Sequence, residues 1–339
     1  MGALTRDEGY VARRRGVVER LLGSETLILL LLLVVVAVVV LIAVPPARQS
    51  RTVFDLMREL SPLLIGTIGM SLLMIGGEFD LSMGSVIAMV TCITMAVFLK
   101  TENIWLSVAA GLVSGPIVGL LNGLMVTQLR MSSLMTTLGM QFVIRGAVYV
   151  ATNKAPILSG ENNVPEAFLG LYHSSLGPVP TPFLLALGLF LVFYVISTQT
   201  DFGRRIYAVG GNPSAARVSG IKVSQVKLIL FVVCSTMAAI AGMLVTAQIK
   251  TGYFDAGLGF ELTVIAATVL GGVSLSGGHG SLVGAVLGVL ILGLSNKALR
   301  LLGAATTTQM LATGLFMMFA LYLHTLRAQL STRWRKRQT

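Results

Sequence analysis

From Thr26 to Val44 the sequence carries no charged residue, and an uninterrupted apolar run of that length can cross the hydrocarbon of a bilayer as a helix, which takes about 20 residues. A cleaved signal peptide has an apolar core of only about 7–15 residues. The run is therefore expected to be an uncleaved first transmembrane helix, preceded by a basic segment with Arg6, Arg13, Arg14, Arg15 and Arg20. Similar runs recur to the end of the chain. On a gauge of about 20 residues the spans are Thr26–Val44, Leu60–Ile75, Gly84–Leu99, Leu106–Val126, Leu134–Ala151, Pro182–Ser197, Val226–Ala247, Leu262–Leu275, Leu282–Asn296 and Gln309–Thr325. Leu60–Ile75 and Leu262–Leu275 fall short of a full crossing, so each is broken or extends into the glycine-rich loop beside it.

Only 12% of the residues are charged and 55% are hydrophobic, against roughly 25% charged in soluble domains. Lipid offers the backbone no hydrogen bonds, so the spans must be helical. The expected fold class is all-α: a polytopic integral membrane protein of about ten transmembrane helices, some of them short or broken. The formal charge of +11 does not indicate nucleic acid binding, because the basic residues fill the gaps between apolar runs instead of one soluble face.

That placement sets orientation, since Lys and Arg accumulate on the cytoplasmic side. With the N-terminus inside, Gly76–Met83, Thr127–Ser133, Thr198–Gln225 and Ser276–Ser281 are cytoplasmic. The Thr198–Gln225 loop holds Arg204, Arg205, Arg217 and Lys222 against the single acid Asp201, and the tail holds Arg327, Arg333, Arg335, Lys336 and Arg337 with no acid. Both termini are then cytoplasmic, which requires an even number of crossings. The proline-rich loop Thr152–Thr181 falls outside, as do Arg48, Arg51 and Arg58 beside Asp55 and Glu59.

No phosphate-binding Gly-x-x-x-x-Gly-Lys-Ser/Thr loop is present, nor a nucleophile elbow. Cys92 and Cys234 lie in apolar runs as small buried hydrophobes. His173, His279 and His324 lack metal-ligand spacing. Neither catalytic residues, nor a metal, nor a cofactor is expected, and energy for uphill transport must come from an ion gradient or a separate ATPase.

The most informative stretch is Asp201-Phe202-Gly203-Arg204-Arg205-Ile206-Tyr207-Ala208-Val209-Gly210-Gly211-Asn212-Pro213-Ser214-Ala215-Ala216-Arg217-Val218-Ser219-Gly220-Ile221. Asn212 is suited to cap a helix whose first turn holds Pro213. The short helix ends near Gly220 and is flanked by glycines, of which Gly211 is a candidate for positive φ. Such a helix either docks into a groove on a partner, with Ala215, Ala216 and Arg217 in contact, or lies on anionic lipid.

The same stretch resembles the cytoplasmic coupling loop of the ribose, arabinose, xylose and galactose permeases of ATP-binding-cassette importers, with the pattern Phe-Gly-Arg-x-Ile-Tyr-Ala-x-Gly-Gly-Asn-x-x-Ala-Ala-x-x-Ser-Gly-Ile. Gly76–Ser85 is similar to that family's Gly-Gly-Ile-Asp-Leu-Ser-x-Gly-Ser, and Leu270–Gly284 to its Gly-Gly-x-Ser-Leu-x-Gly-Gly-x-Gly-x-x-x-Gly. The resemblance runs from about residue 55 onward. It implies a permease subunit of a bacterial importer for a monosaccharide or sugar-like solute, in the cytoplasmic (inner) membrane. The implied partners are ATPase subunits, an extracytoplasmic solute-binding protein and a second permease, as a homodimer or a heterodimer. On this basis residues 1–25 form a cytoplasmic segment, 26–325 the permease domain with coupling loop 198–225, and 326–339 a basic tail. Gly203, Arg204, Arg205, Gly210, Gly211, Asn212, Pro213, Ala215, Ala216, Arg217 and Gly220 are the coupling candidates. Glu78 stands where the family commonly has its second glycine, and Ser132-Ser133-Leu134 replaces a stretch often containing proline and phenylalanine; these departures leave the sugar unspecified.

Glu78, Asp80, Asn122, Gln141 and Asn296 are polar residues in or beside spans and are candidates for the solute path. The structural alternatives are that Asp80 caps the next helix and that the amides bind helices together. Arg145 either pairs with a carboxylate or snorkels to the outer headgroups. An ion-coupled secondary transporter would need Glu78 or Asp80 on its path, and ATP-binding-cassette permeases for nucleosides or amino acids share the general architecture. A loose internal echo links Gly76-Gly77…Leu81-Ser82…Gly84-Ser85 to Gly271-Gly272…Leu275-Ser276…Gly280-Ser281.

Overall fold

The computed structural model describes residues 25–158 and 164–305, with scattered positions from 307 to 318. The N-terminal basic segment, the basic tail and most of Gln309–Thr325 lie outside the described residues.

The described chain is helical with four two-residue strands. In order, α1 is Glu25–Ala43, α2 Ser50–Ile75, α3 Met83–Thr101, α4 Ile104–Thr127, α5 Ser133–Thr152, α6 Glu166–His173, α7 Thr181–Gln199, α8 Asp201–Gly211, α9 Pro213–Val218, α10 Val223–Ile249, α11 Phe260–Leu270 and α12 Leu282–Leu301. Eight of these, all except α6, α8, α9 and α11, are long and apolar enough to cross a membrane. The span expected to be short at Leu60–Ile75 is the later part of a full-length helix that starts at Ser50. Its first turns look like a loop in sequence because Arg51, Asp55, Arg58 and Glu59 crowd them. They are helical because those charges are paired: Glu59 accepts from Lys297 at 2.8 Å and Arg300 at 2.6 Å. The other short span, Leu262–Leu275, is a half-crossing: α11 ends at Leu270.

Helix α10 forms the centre of the bundle, packed on α4, α2 and α3. The contact with α4 is close because Gly111, Gly115, Gly119 and Gly123 recur every four residues on one face, the small-residue seam by which membrane helices approach. A Cβ placed on Gly119 would lie 2.5 Å from the Phe231 carbonyl oxygen. A strand pair, Ile157–Leu158 with Thr251–Gly252, ties two loops together at the other end of the bundle from α8 and α9.

Two breaks in the helices bring polar backbone inward. After Ile75, the segment 76–82 turns back along α10: Glu78 meets Lys227, while Asp80 meets Ser235, about 12 Å further along that helix. From the opposite end, residues 252–257 run beside α3 as irregular, turn-forming backbone. A Cβ on Gly252 would lie 3.1 Å from Cys92 Cα, and one on Gly257 would lie 2.6 Å from the Gly84 carbonyl oxygen. The echo in the sequence is a shared helix ending. Gly77 (φ +83°) and Gly272 (φ +85°) close α2 and α11 with the same pair of backbone bonds, Glu78 to Leu73 with Gly77 to Met74, and Val273 to Thr268 with Gly272 to Val269.

Candidate functional site

The local sequence of residues 200–222 produces two short helices at one end of the bundle. Thr200 caps α8 by accepting from the Gly203 amide at 3.2 Å. Asn212 caps α9, its side-chain oxygen accepting from the Ala215 amide at 3.0 Å, with Pro213 in the first turn. Gly220, at φ +83°, ends α9 in the left-handed conformation that glycine adopts without strain. The short helix bordered by Asn212 and Gly220 thus forms as its sequence implies.

Its surroundings differ from that expectation in three respects. Gly211 has no positive φ; it closes the last turn of α8, and a Cβ there would meet only Gly278 Cα at 3.9 Å. Gly210 and Gly211 belong to a helix, not a flexible joint, and Gly210 is the position under constraint. A Cβ on Gly210 would fall 1.8 Å from the Ile75 carbonyl oxygen and 2.7 Å from the Gly278 nitrogen. Ala216 is 4% exposed and packs inward. The projecting surface includes Pro213, Ser214, Ala215, Arg217 and Val218, and Val218, which sequence reasoning did not single out, is 90% exposed.

Helix α8 joins this projection to the bundle. The Gly278 amide donates to the Ile75 carbonyl at 2.8 Å. The Tyr207 hydroxyl donates to the Gly280 carbonyl at 3.0 Å, and burial raises its phenol above the ordinary value, so it remains a donor. Arg204 pairs with Asp201. Gly203 lies at the α7–α8 corner, where a Cβ would sit 2.2 Å from the Ser197 carbonyl oxygen. The α8 backbone therefore touches the end of α2 and the loop between α11 and α12.

The polar residues inside the bundle fall into separate groups. Asp80, fully buried, accepts from the Ser82 amide at 2.9 Å, the Ser82 hydroxyl at 2.5 Å and the Ser235 hydroxyl at 3.0 Å. Asn122 donates to Ser82 Oγ at 3.0 Å and to Asp80 at 3.5 Å. Asp80 thus organises the entry of α3 against α4 and α10. Glu78 is paired with Lys227 nearer the α8 end. Gln141 donates to Glu261 Oε1 at 3.2 Å. Asn296 lies near the far end of α12, one position before Lys297, apart from the others.

Arg145 neither pairs with a carboxylate nor snorkels. It is 7% exposed, and its Nη1 donates to the carbonyls of Phe254 at 2.8 Å and Ala256 at 3.0 Å. Thr91 also holds this segment, accepting from the Tyr253 amide and donating to its carbonyl, both at 3.2 Å. Irregular backbone packed among membrane-type helices persists only when such groups satisfy it. Beside it, Tyr149 donates to Asp255 at 2.5 Å, both half-buried. Glu261 continues the polar strip: a Cβ on Gly84 would lie 2.2 Å from Glu261 Oε2. No group of histidine, cysteine or acidic side chains among the described residues could hold a metal ion.

The family described as branched-chain amino acid transport system / permease component matches residues 52–321. The chain is 36% identical over 270 residues to the ribose import permease protein of Escherichia coli strain K12, covering 79% of this chain and 84% of that protein. It is 35% identical over 252 residues to the L-arabinose transport system permease protein of the same strain, covering 74% and 76%. The ribose import permease protein of Bacillus subtilis strain 168 is 33% identical over 279 residues, covering 82% and 86%. No solved structure matches the chain.

Proposed function

The chain belongs to the family of branched-chain amino acid transport system permease components, and on that premise we propose that it is the membrane-spanning subunit of an ATP-binding-cassette importer for a monosaccharide or sugar-like solute. The observation that carries this function is the projecting helix α9, held on α8 and presenting Arg217 and Val218 outward. An exposed valine beside an arginine on a rigid, capped helix is suited to insert into a groove of a separate ATPase. The sugar assignment follows the ribose and arabinose permeases, with which the chain shares most of its length. The solute is delivered by an extracytoplasmic binding protein and passes between this chain and a second permease. Gln141, Tyr149, Asp255 and Glu261 supply hydrogen-bonding groups to sugar hydroxyls on that path, whereas Asp80 and Asn122 hold its wall in place.

Replacing Arg217 with glutamate and Val218 with aspartate in one chain is expected to abolish ATP-driven uptake and stimulation of the ATPase, with membrane insertion unchanged. Wild-type uptake in that double variant would remove the docking role of α9. In the proposed orientation both termini and α9 are cytoplasmic, in a bacterial cytoplasmic membrane. A cysteine introduced at Pro165 is then labelled by an impermeant maleimide from outside; labelling only from the cytoplasmic side would reverse the orientation. The purified chain without its ATPase is expected to hydrolyse no ATP, because it lacks a phosphate-binding loop. A phosphate-release assay on that preparation checks this, and measurable turnover would contradict the assignment.

A further inference from the structure

A cavity of about 390 Å³ lies beside the projecting helix, between α8 and the first turns of α10. Its walls include Phe202, Arg205, Ile221, Lys222, Gln225 and Ile229. The cations around it are not equivalent. Arg204 is held by Asp201 and Lys227 by Glu78, whereas among the described residues Arg205 and Lys222 have no carboxylate partner, and both are exposed. Free positive charge is therefore concentrated at the mouth.

The apolar part of the wall follows in one direction. Ile229 is 45% exposed and lies seven positions beyond Lys222 on the way into the bundle, about 10 Å along α10. Phe202 is half-buried on the facing helix. Cations at the rim followed by an apolar wall one headgroup deeper is the order of groups in a phospholipid at a leaflet surface. A free phosphate or an acidic peptide would use only the rim.

We propose that this cavity binds an anionic phospholipid, with its phosphate between Arg205 and Lys222 and its first acyl carbons against Phe202 and Ile229. Ser219 and Gly220, at the end of α9, form part of the same wall, so an occupied site ties the elbow of the projecting helix to the bilayer surface. The inference does not depend on which solute is carried.

The test is native mass spectrometry on the full-length chain, titrated with phosphatidylglycerol, phosphatidylcholine or inorganic phosphate. The wild type is expected to bind phosphatidylglycerol roughly 25-fold more tightly than phosphatidylcholine, from about fivefold for each of the two basic residues near an anionic lipid. Arg205→Gln with Lys222→Gln should erase that preference, and Arg205→Lys with Lys222→Arg should retain it. Equal affinity of the wild type for the two lipids would overturn the proposal whether or not the variants fold. So would an undiminished preference in the neutral double variant, or inorganic phosphate competing as well as the lipid does, which would make the site one for free anions.

Discussion

Replacing Arg145 with leucine is expected to destabilise the protein by about 2–6 kcal/mol, from about 1–3 kcal/mol for each buried acceptor that loses its donor. The residue is 7% exposed, and a single nitrogen serves the carbonyls of Phe254 and Ala256. Those carbonyls belong to an irregular, turn-forming segment beside α3, where a buried carbonyl outside regular secondary structure needs a side-chain partner. Arg145→Lys should lose less, because a lysine ammonium at this position can still donate to one carbonyl. Thermal unfolding of the purified protein in detergent, followed by intrinsic fluorescence, orders the three proteins as wild type, lysine, leucine. A leucine variant as stable as wild type would mean that residues 252–257 do not depend on this side chain.

Gly210→Val is expected to lower ATP-driven uptake by about 5- to 150-fold, the range in which coupling between two sites usually falls. The added Cβ would be 1.8 Å from the Ile75 carbonyl oxygen and 2.7 Å from the Gly278 nitrogen. Both are backbone atoms in a mutual hydrogen bond of 2.8 Å, so neither can move without shifting α8 off the end of α2. Gly211→Ala is the control: its nearest neighbour is 3.9 Å away and its φ is not positive, so uptake should remain near wild type. Transport assays on both variants at equal membrane expression decide the matter. Equal loss at the two positions would show that helix propensity, not contact with Ile75, sets the effect.

The parts of this architecture legible in the sequence are those whose cause is local. Asn212 and Pro213 announce α9 because a cap and a first-turn proline act within three residues, and Thr26–Val44 announces α1 by length and absence of charge. The seam of Gly111, Gly115, Gly119 and Gly123 is equally visible as a spacing of four, and only its partner, α10, needs the structure. What sequence reasoning misses depends on distant groups. Arg145 looks like a residue in need of a carboxylate or a headgroup, because nothing nearby indicates that carbonyls 109 and 111 positions onward lie against it. Residues 252–259 show neither helical nor strand periodicity, and their place within the bundle follows from contacts with α3 and α5. Charges in the first turns of α2 hide a helix because their partners, Lys297 and Arg300, are on α12. Val218 carries no sign of its exposure until α9 is placed on α8.

The central claim is that the chain carries a sugar across the membrane on energy from a separate ATPase coupled through α9. Uptake of radiolabelled ribose and arabinose into proteoliposomes tests it, with the chain and its ATPase reconstituted, ATP enclosed and the binding protein added outside. The predicted result is uptake of at least one pentose that requires all three proteins and ATP, persists when ionophores abolish proton and sodium gradients, and disappears in the Arg217→Glu, Val218→Asp chain. Uptake driven by an ion gradient in the absence of the ATPase would contradict it.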